Sequence, residues 1–287
     1  MSAEPLSAAS GGAGAPRLPW DLLKRQTAAI LRLEVKKSFL GRSAVWAFLF
    51  AMMPVIVLAL RIVAPHAVAN PADLGEGTRT FANAFQIFIL RLVIFFGCVS
   101  IFGNLIRREM LDRSLHYYFL SPVRRDVLVL AKYLTGLLVS FTLFGAATAL
   151  SYVLTYLPHQ GLDFFFLHGP GLRHLAAYLL VTFLACLGYG AIFLALSLYA
   201  KSPAIPALAV FGWELINFLL PPLLKKLSMI YYLESLCPVP ISLGPFALTS
   251  DTPSPWLAVP GIFLLTAVLL AISGRKIRRM EISYEED

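Results

Sequence analysis

Charge is what this 287-residue chain has least of: only 14% of its residues are Asp, Glu, Lys or Arg, and bases outnumber acids 24 to 16. Soluble domains carry about a quarter charged residues. With 58% hydrophobic residues and a mean hydropathy of +0.75, an ordinary water-soluble fold is excluded. There are three cysteines. Cys98 and Cys186 lie inside apolar runs, where a free thiol packs as a small apolar group, and Cys237 lies in a connection. They build no disulfide framework, although an intermolecular bond through Cys237 stays open. The five histidines, His66, His116, His159, His168 and His174, fall in connections or at the ends of runs without ligand spacing, so no metal site is expected. No G-x-x-x-x-G-K-[ST] occurs, which removes ATP binding in a P-loop. The absence of G-x-S-x-G, H-E-x-x-H or paired acids within an apolar run removes the familiar intramembrane enzymes. Nor is there an internal repeat or a polar block the size of a soluble domain.

What is present is a succession of apolar runs. A spanning helix needs about 20 mostly apolar residues, and six runs of that kind predict an all-α membrane protein. They cover residues 43–64, 81–106, 130–157, 175–200, 204–224 and 256–274. The second is interrupted by Arg91, and the fifth is short, carries Glu214 and ends on Pro221 and Pro222. Residues 1–19 are rich in Ala, Gly, Ser and Pro and read as a disordered tail, and residues 280–287 as an acidic C-terminal tail. From Trp20 to Leu40, Ala28, Leu31, Val35 and Phe39 share one helical face while Arg25, Arg32 and Lys36 lie near another. That pattern suits an amphipathic helix in the membrane interface, and equally a plain polybasic segment beside the first span.

An even number of spans puts both termini on one side. Taking that side as the cytoplasm leaves six of the 24 lysines and arginines elsewhere: Arg61, Arg79, Arg91, Arg173, Lys225 and Lys226. The bias predicts a multi-pass protein of the inner (cytoplasmic) membrane with both termini cytoplasmic. It also accounts for the net charge of +8 by attraction to an anionic leaflet, with no nucleic acid as partner.

The stretch IRREMLDRSLHYYFLSPVRRDVLVLAKYL, from Ile106 to Leu134, is an island of charge between the second and third runs. Positive-inside anchoring explains Arg107, Arg108, Arg124 and Arg125. It does not explain Leu115, Tyr117, Tyr118, Phe119 and Leu120, apolar area that lipid or a partner must cover. Ser121 and Pro122 end the helix that precedes them. Lys132 is placed to snorkel back to the interface.

This stretch resembles the permease subunits of ABC-2 type transporters, in which an acidic residue after span two precedes a short cytoplasmic helix, a proline with basic neighbours and a lysine early in span three. Here those positions are Glu109, RSLHYYFLSPVRR and Lys132. More loosely the likeness extends over residues 20–279, as one transmembrane domain. The resemblance implies that Leu111 to Leu120 is a coupling helix docked on a separate ABC ATPase subunit, with Glu109, Arg113, Leu115, Tyr117, Tyr118, Leu120, Pro122 and Arg124 at the contact. It implies further that ATP and Mg are held by that partner and not by this chain, that a second permease subunit completes the transporter, and that transport is outward. In the family the connection between spans five and six partly re-enters the membrane. Here that connection joins LLKKLSMIYYLESL to the proline-rich CPVPISLGPFALTSDTPSP, which an ordinary surface cap would also fit.

Arg91 and Glu214 each lie ten residues into their runs, about 15 Å deep at 1.5 Å per residue. Isolated charges at that depth are costly, so the two are expected to pair, directly or between two halves, with Asn217 one turn beyond Glu214 able to join them. A structural ion pair weighs more than a substrate contact here. The rival function is an ion-gradient-driven secondary transporter, which calls for symmetry-related halves with broken helices; one proline-interrupted run is seen.

Overall fold

The computed structural model describes residues 42–63, 73–105, 125–159, 165–166, 168–200, 204–217, 221–241 and 253–279. Among them every element is helical. In chain order they are α1 (Arg42–Val63), α2 (Leu74–Leu105), α3 (Arg125–Tyr156), α4 (Gly171–Tyr199), α5 (Ala204–Ile216), α6 (Pro222–Lys225), α7 (Met229–Ser235) and α8 (Pro255–Arg279). Five of these, α1, α2, α3, α4 and α8, are long and apolar enough to cross a membrane. The interfacial helix expected at residues 20–40, the coupling helix at residues 111–120 and both tails lie outside the described residues.

The expected second run starts late by seven residues. α2 begins at Leu74 because the Asp73 carboxylate accepts from the Gly75 N–H at 2.8 Å and Glu76 stands in the first turn, the arrangement of an acidic N-cap with an acid at N3. Glu76 also pairs with Arg61 of α1 at 3.5 Å. Within α2, Leu74–Asn83 and Phe95–Leu105 are α-helical and Ala84–Ile94 is π-helical.

The expected fifth run, 204–224, is divided. α5 ends at Ile216 after 13 residues, about 20 Å at 1.5 Å per residue, against roughly 30 Å of hydrocarbon. The chain then restarts at Pro222, where a proline at the first helical position costs no hydrogen bond. α5 is also thinly packed, with only Ala207 and Glu214 buried in it. Glu214 therefore stands near the end of a short helix, not halfway along a long one.

The core lies between α2, α3 and α4. Helices in lipid gain little by hiding apolar surface from one another, so close fit between small and bulky residues has to hold them. Phe102 of α2 is wedged against Gly136 of α3 and Gly190 of α4: a Cβ at either glycine would come within 2.6 and 2.5 Å of its ring. Phe144 of α3 fills the space over Gly97 of α2 in the same way. Toward the other end of the bundle, Phe81 meets Tyr152 and Tyr178 edge-on at 4.8 and 4.9 Å between ring centroids, a favoured aromatic geometry. Buried hydroxyls tie the helices across: Tyr133 donates to the Leu187 carbonyl at 2.7 Å and Tyr156 to Thr78 at 3.0 Å. Lys132, expected to snorkel, is instead 1% exposed, because α3 begins at Arg125 and carries it a further two turns into the bundle.

Candidate functional site

Polar groups gather where the connection between α5 and α8 turns back into the protein. Glu214, near the end of α5, is buried and accepts three hydrogen bonds. They come from the Ser228 hydroxyl, from the Met229 N–H at 2.9 Å and from the Ile230 N–H at 3.1 Å. Two of those donors are the first backbone N–H groups of α7, which have no partner within their own helix. Ser228 in turn accepts from the Asn217 amide. The carboxylate of α5 thus caps α7, the role an N-cap side chain plays in other helices.

The other end of α7 is held by α2. Glu234 pairs with Arg91, whose side chain is 10% exposed. Two residues beyond α7, Cys237 donates to the Leu233 carbonyl at 3.5 Å, and the Val239 carbonyl accepts from the Gln86 amide at 2.7 Å. Gln86 and Arg91 both belong to the π-helical stretch of α2. Non-α stretches of this kind occur often at functional sites. Below α7, Met229 lies directly over Gly188 of α4, so close that a Cβ there would meet its Cε at 1.6 Å.

Arg91 and Glu214 do not bond each other directly, as equal depth led one to expect. The guanidinium is near enough to act on the Glu214 carboxylate through space, but each takes its partner from the connection, with Asn217 beside Glu214. The depth argument counted only the charges inside the apolar runs. Glu234, Ser228 and Gln86 were passed over: Glu234 and Ser228 sit in the connection that the resemblance makes re-entrant and that a surface cap would also fit, with no residue of it assigned a partner, and Gln86 was read as part of an apolar run. One signal was available, since MIYYLES is too apolar to cover a connection bathed in water.

Chemically the arrangement positions backbone: the Glu214 carboxylate holds the Ser228 hydroxyl together with two N–H groups of α7. No group of His, Cys, Asp and Glu among the described residues could hold a metal ion. The proposed coupling-helix residues, Glu109, Arg113, Leu115, Tyr117, Tyr118, Leu120, Pro122 and Arg124, lie outside the described residues.

Five helices long and apolar enough to cross a membrane, around an aromatic core, define a multi-pass membrane protein. The chain matches the family model for the ABC-2 family transporter protein over residues 30–217 and belongs to that family. That makes it the membrane component of an ABC transporter, a class that works with an ABC ATPase. No curated protein matches the chain. The family match ends at Asn217, so the clamp joins residues inside it to α7 beyond it.

Proposed function

We propose that the chain is the permease half of an ATP-driven exporter. It pairs with a second permease subunit, identical or not, and takes its power from a separate ATPase that binds ATP and Mg. Residues 111–120 form the helix that docks on that ATPase, and both termini face the cytoplasm of the inner membrane. The observation that carries the reading is family membership over residues 30–217, joined to the absence of any P-loop in a chain whose described helices are built to cross a membrane.

The clamp adds a role for the connection between α5 and α8. Met229 lies over Gly188, about 25 Å along α4 from Gly171 and about 16 Å from Tyr199 at 1.5 Å per residue. With the termini cytoplasmic, α7 enters from the outer face to mid-membrane depth. In lipid, such backbone is tolerated only where protein satisfies it, which Glu214 does. The re-entrant segment closes the outer end of the pathway, and Arg91 and Glu214 tie its position to α2 and α5.

The reading is tested by purifying the tagged chain from its native membranes and identifying the chains that accompany it. A stoichiometric P-loop ATPase, lost with Leu115→Asp or Tyr118→Asp while the permease stays folded, is the expected result. A folded permease that brings down no ATPase, yet transports on an ion gradient, would replace it with the secondary transporter.

A further inference from the structure

α2 holds the connection at two points, and both lie in its π-helical stretch, Ala84–Ile94. The Gln86 amide donates to the Val239 carbonyl at 2.7 Å, and Arg91 pairs with Glu234 near the end of α7. The two side chains are five residues apart. In a π-helix the carbonyl of residue i accepts from the N–H of residue i+5, so residues at that spacing stand one above the other on adjacent turns. In an α-helix, at about 100° per residue, they would diverge by about 140° around the axis. An α-wound stretch could offer the connection Gln86 or Arg91, but not both.

Packing agrees with the winding. The buried residues of the stretch, Phe85, Gln86, Ile89, Leu90, Val93 and Ile94, recur in pairs at every fourth position, a longer period than the 3.6 of an α-helix. The stretch also runs for 11 residues, where π winding usually makes a single turn. On either side the chain is anchored: Phe81 sits edge-on to Tyr152 and Tyr178, and Phe102 is wedged over Gly136 and Gly190. Rewinding would turn one anchor against the other, so the bundle itself keeps the stretch π-wound at rest.

We propose that the π winding of Ala84–Ile94 is the latch of the re-entrant segment: α7 stays docked while the stretch is π-wound and leaves when it rewinds to α. Neither Gln86 nor Arg91 acts alone, because docking at one point favours the winding that presents the other. Release of α7 is thereby tied to a turn between the two α-helical parts of α2, Leu74–Asn83 and Phe95–Leu105. Only the mid-membrane depth of α7 is taken from the reading above. The latch needs no ATPase, so a failed copurification would leave it standing.

The test is made on the full-length chain in non-ionic detergent, with Cys98→Ala and Cys186→Ala in place so that Cys237 alone reports the connection. Ile87→Cys and Leu92→Cys, each one residue beyond a point of the latch, are joined by dibromobimane, and the join is verified by mass spectrometry. Ile87 is 51% exposed and Leu92 half-buried, so neither change empties the core. π winding brings these two thiols onto adjacent turns, where the linker reaches both. The expected result is that the join forms and slows labelling of Cys237 by a maleimide dye about tenfold, because opening of the connection is what exposes the thiol. A control join, Arg79→Cys to Asn83→Cys in the α-helical start of α2, should leave labelling as it was. Failure of the first join in the folded chain would overturn the proposal. So would a join that forms and leaves Cys237 labelling unchanged, or equal slowing by both joins. A second measurement needs no linker: Gln86→Leu and Arg91→Leu together should speed labelling no more than the larger of the two does alone. Factors that multiply would mean two independent bonds and no latch.

Discussion

The bundle of α2, α3 and α4 and the connection that carries α7 are held by different forces. In the bundle, Phe102 and Phe144 are locked against glycines, and aromatic rings interleave from Phe81 to Tyr178. Around α7 the work is done by Glu214, Asn217, Arg91 and Gln86 through bonds to Ser228, two N–H groups, Glu234 and a carbonyl. Apolar fit is spread over many contacts, each of them weak, so no single change releases it. Polar bonds away from water are few and individually strong, and losing one partner leaves the other unsatisfied. The bundle is thus suited to stay fixed and the connection to let go as a unit, which a permease that opens and closes requires of some part of itself.

The largest expected effect comes from removing the cap. Glu214→Leu leaves the Ser228 hydroxyl and the Met229 and Ile230 N–H groups without their acceptor, a loss of roughly 3 kcal/mol or more at about 1–3 kcal/mol for each buried group. The three cysteines divide this cost between the two regions, because Cys98 and Cys186 are buried in the bundle while Cys237 belongs to the connection. With Cys98→Ala and Cys186→Ala in place, Glu214→Leu should speed labelling of Cys237 by a maleimide dye well below the melting temperature. With Cys237→Ala instead, the bundle thiols should stay silent until the whole protein melts. Simultaneous labelling of all three would mean one cooperative unit and would break the comparison.

Next in size is the ion pair. Arg91→Glu sets two carboxylates against each other, and with the Glu234 side chain 22% exposed the cost is about 2 kcal/mol, below the 3–5 kcal/mol of a fully buried pair. Adding Glu234→Arg should restore slow Cys237 labelling. Adding Glu214→Arg should not, since Glu214 is occupied with α7; rescue by that second change would restore the direct pairing of Arg91 with Glu214.

Much of the bundle could be read from sequence because an apolar run of sufficient length has few alternatives in a membrane. The runs at 43–64, 130–157, 175–200 and 256–274 correspond to α1, α3, α4 and α8, each within a few residues except where basic ends prolong the helix. The start of α2 was hidden because LGEGTRT is polar, and only the capping by Asp73 marks it. The clamp was less legible. Arg91, Glu214 and Asn217 stood out as charge or amide in apolar surroundings, but their partners did not. Periodicity says which face of a helix is apolar; it does not say which of several short segments will fold back against that face. Gly188 shows the same limit: in LACLGYGAIF it reads as one small residue among several, and its importance comes from Met229, 41 positions later, seated upon it.

That contact supplies the smallest effect and the sharpest contrast. A Cβ at Gly97 would fall 2.0 Å from a carbon of the Phe144 ring, and one at Gly188 would fall 1.6 Å from the Met229 Cε. Distance alone ranks Gly188→Ala as the worse change, but the obstacle there is the tip of an unbranched chain with three rotatable bonds. Phe144 is fully buried and its ring has no such freedom, so Gly97→Ala must move backbone. Gly97→Ala should therefore cost about 2 kcal/mol, as overpacking of a tight core does, and lower the melting temperature reported by Cys98 and Cys186. Gly188→Ala should cost less than about 1 kcal/mol, act on Cys237 labelling first, and be relieved by Met229→Ala. Phe144→Ala should bring no such relief to Gly97→Ala, because it exchanges a clash for a cavity. Should the two alanines prove equally costly in the same thiol assay, α7 is packed as firmly as the bundle and its release would need more than the breaking of the clamp.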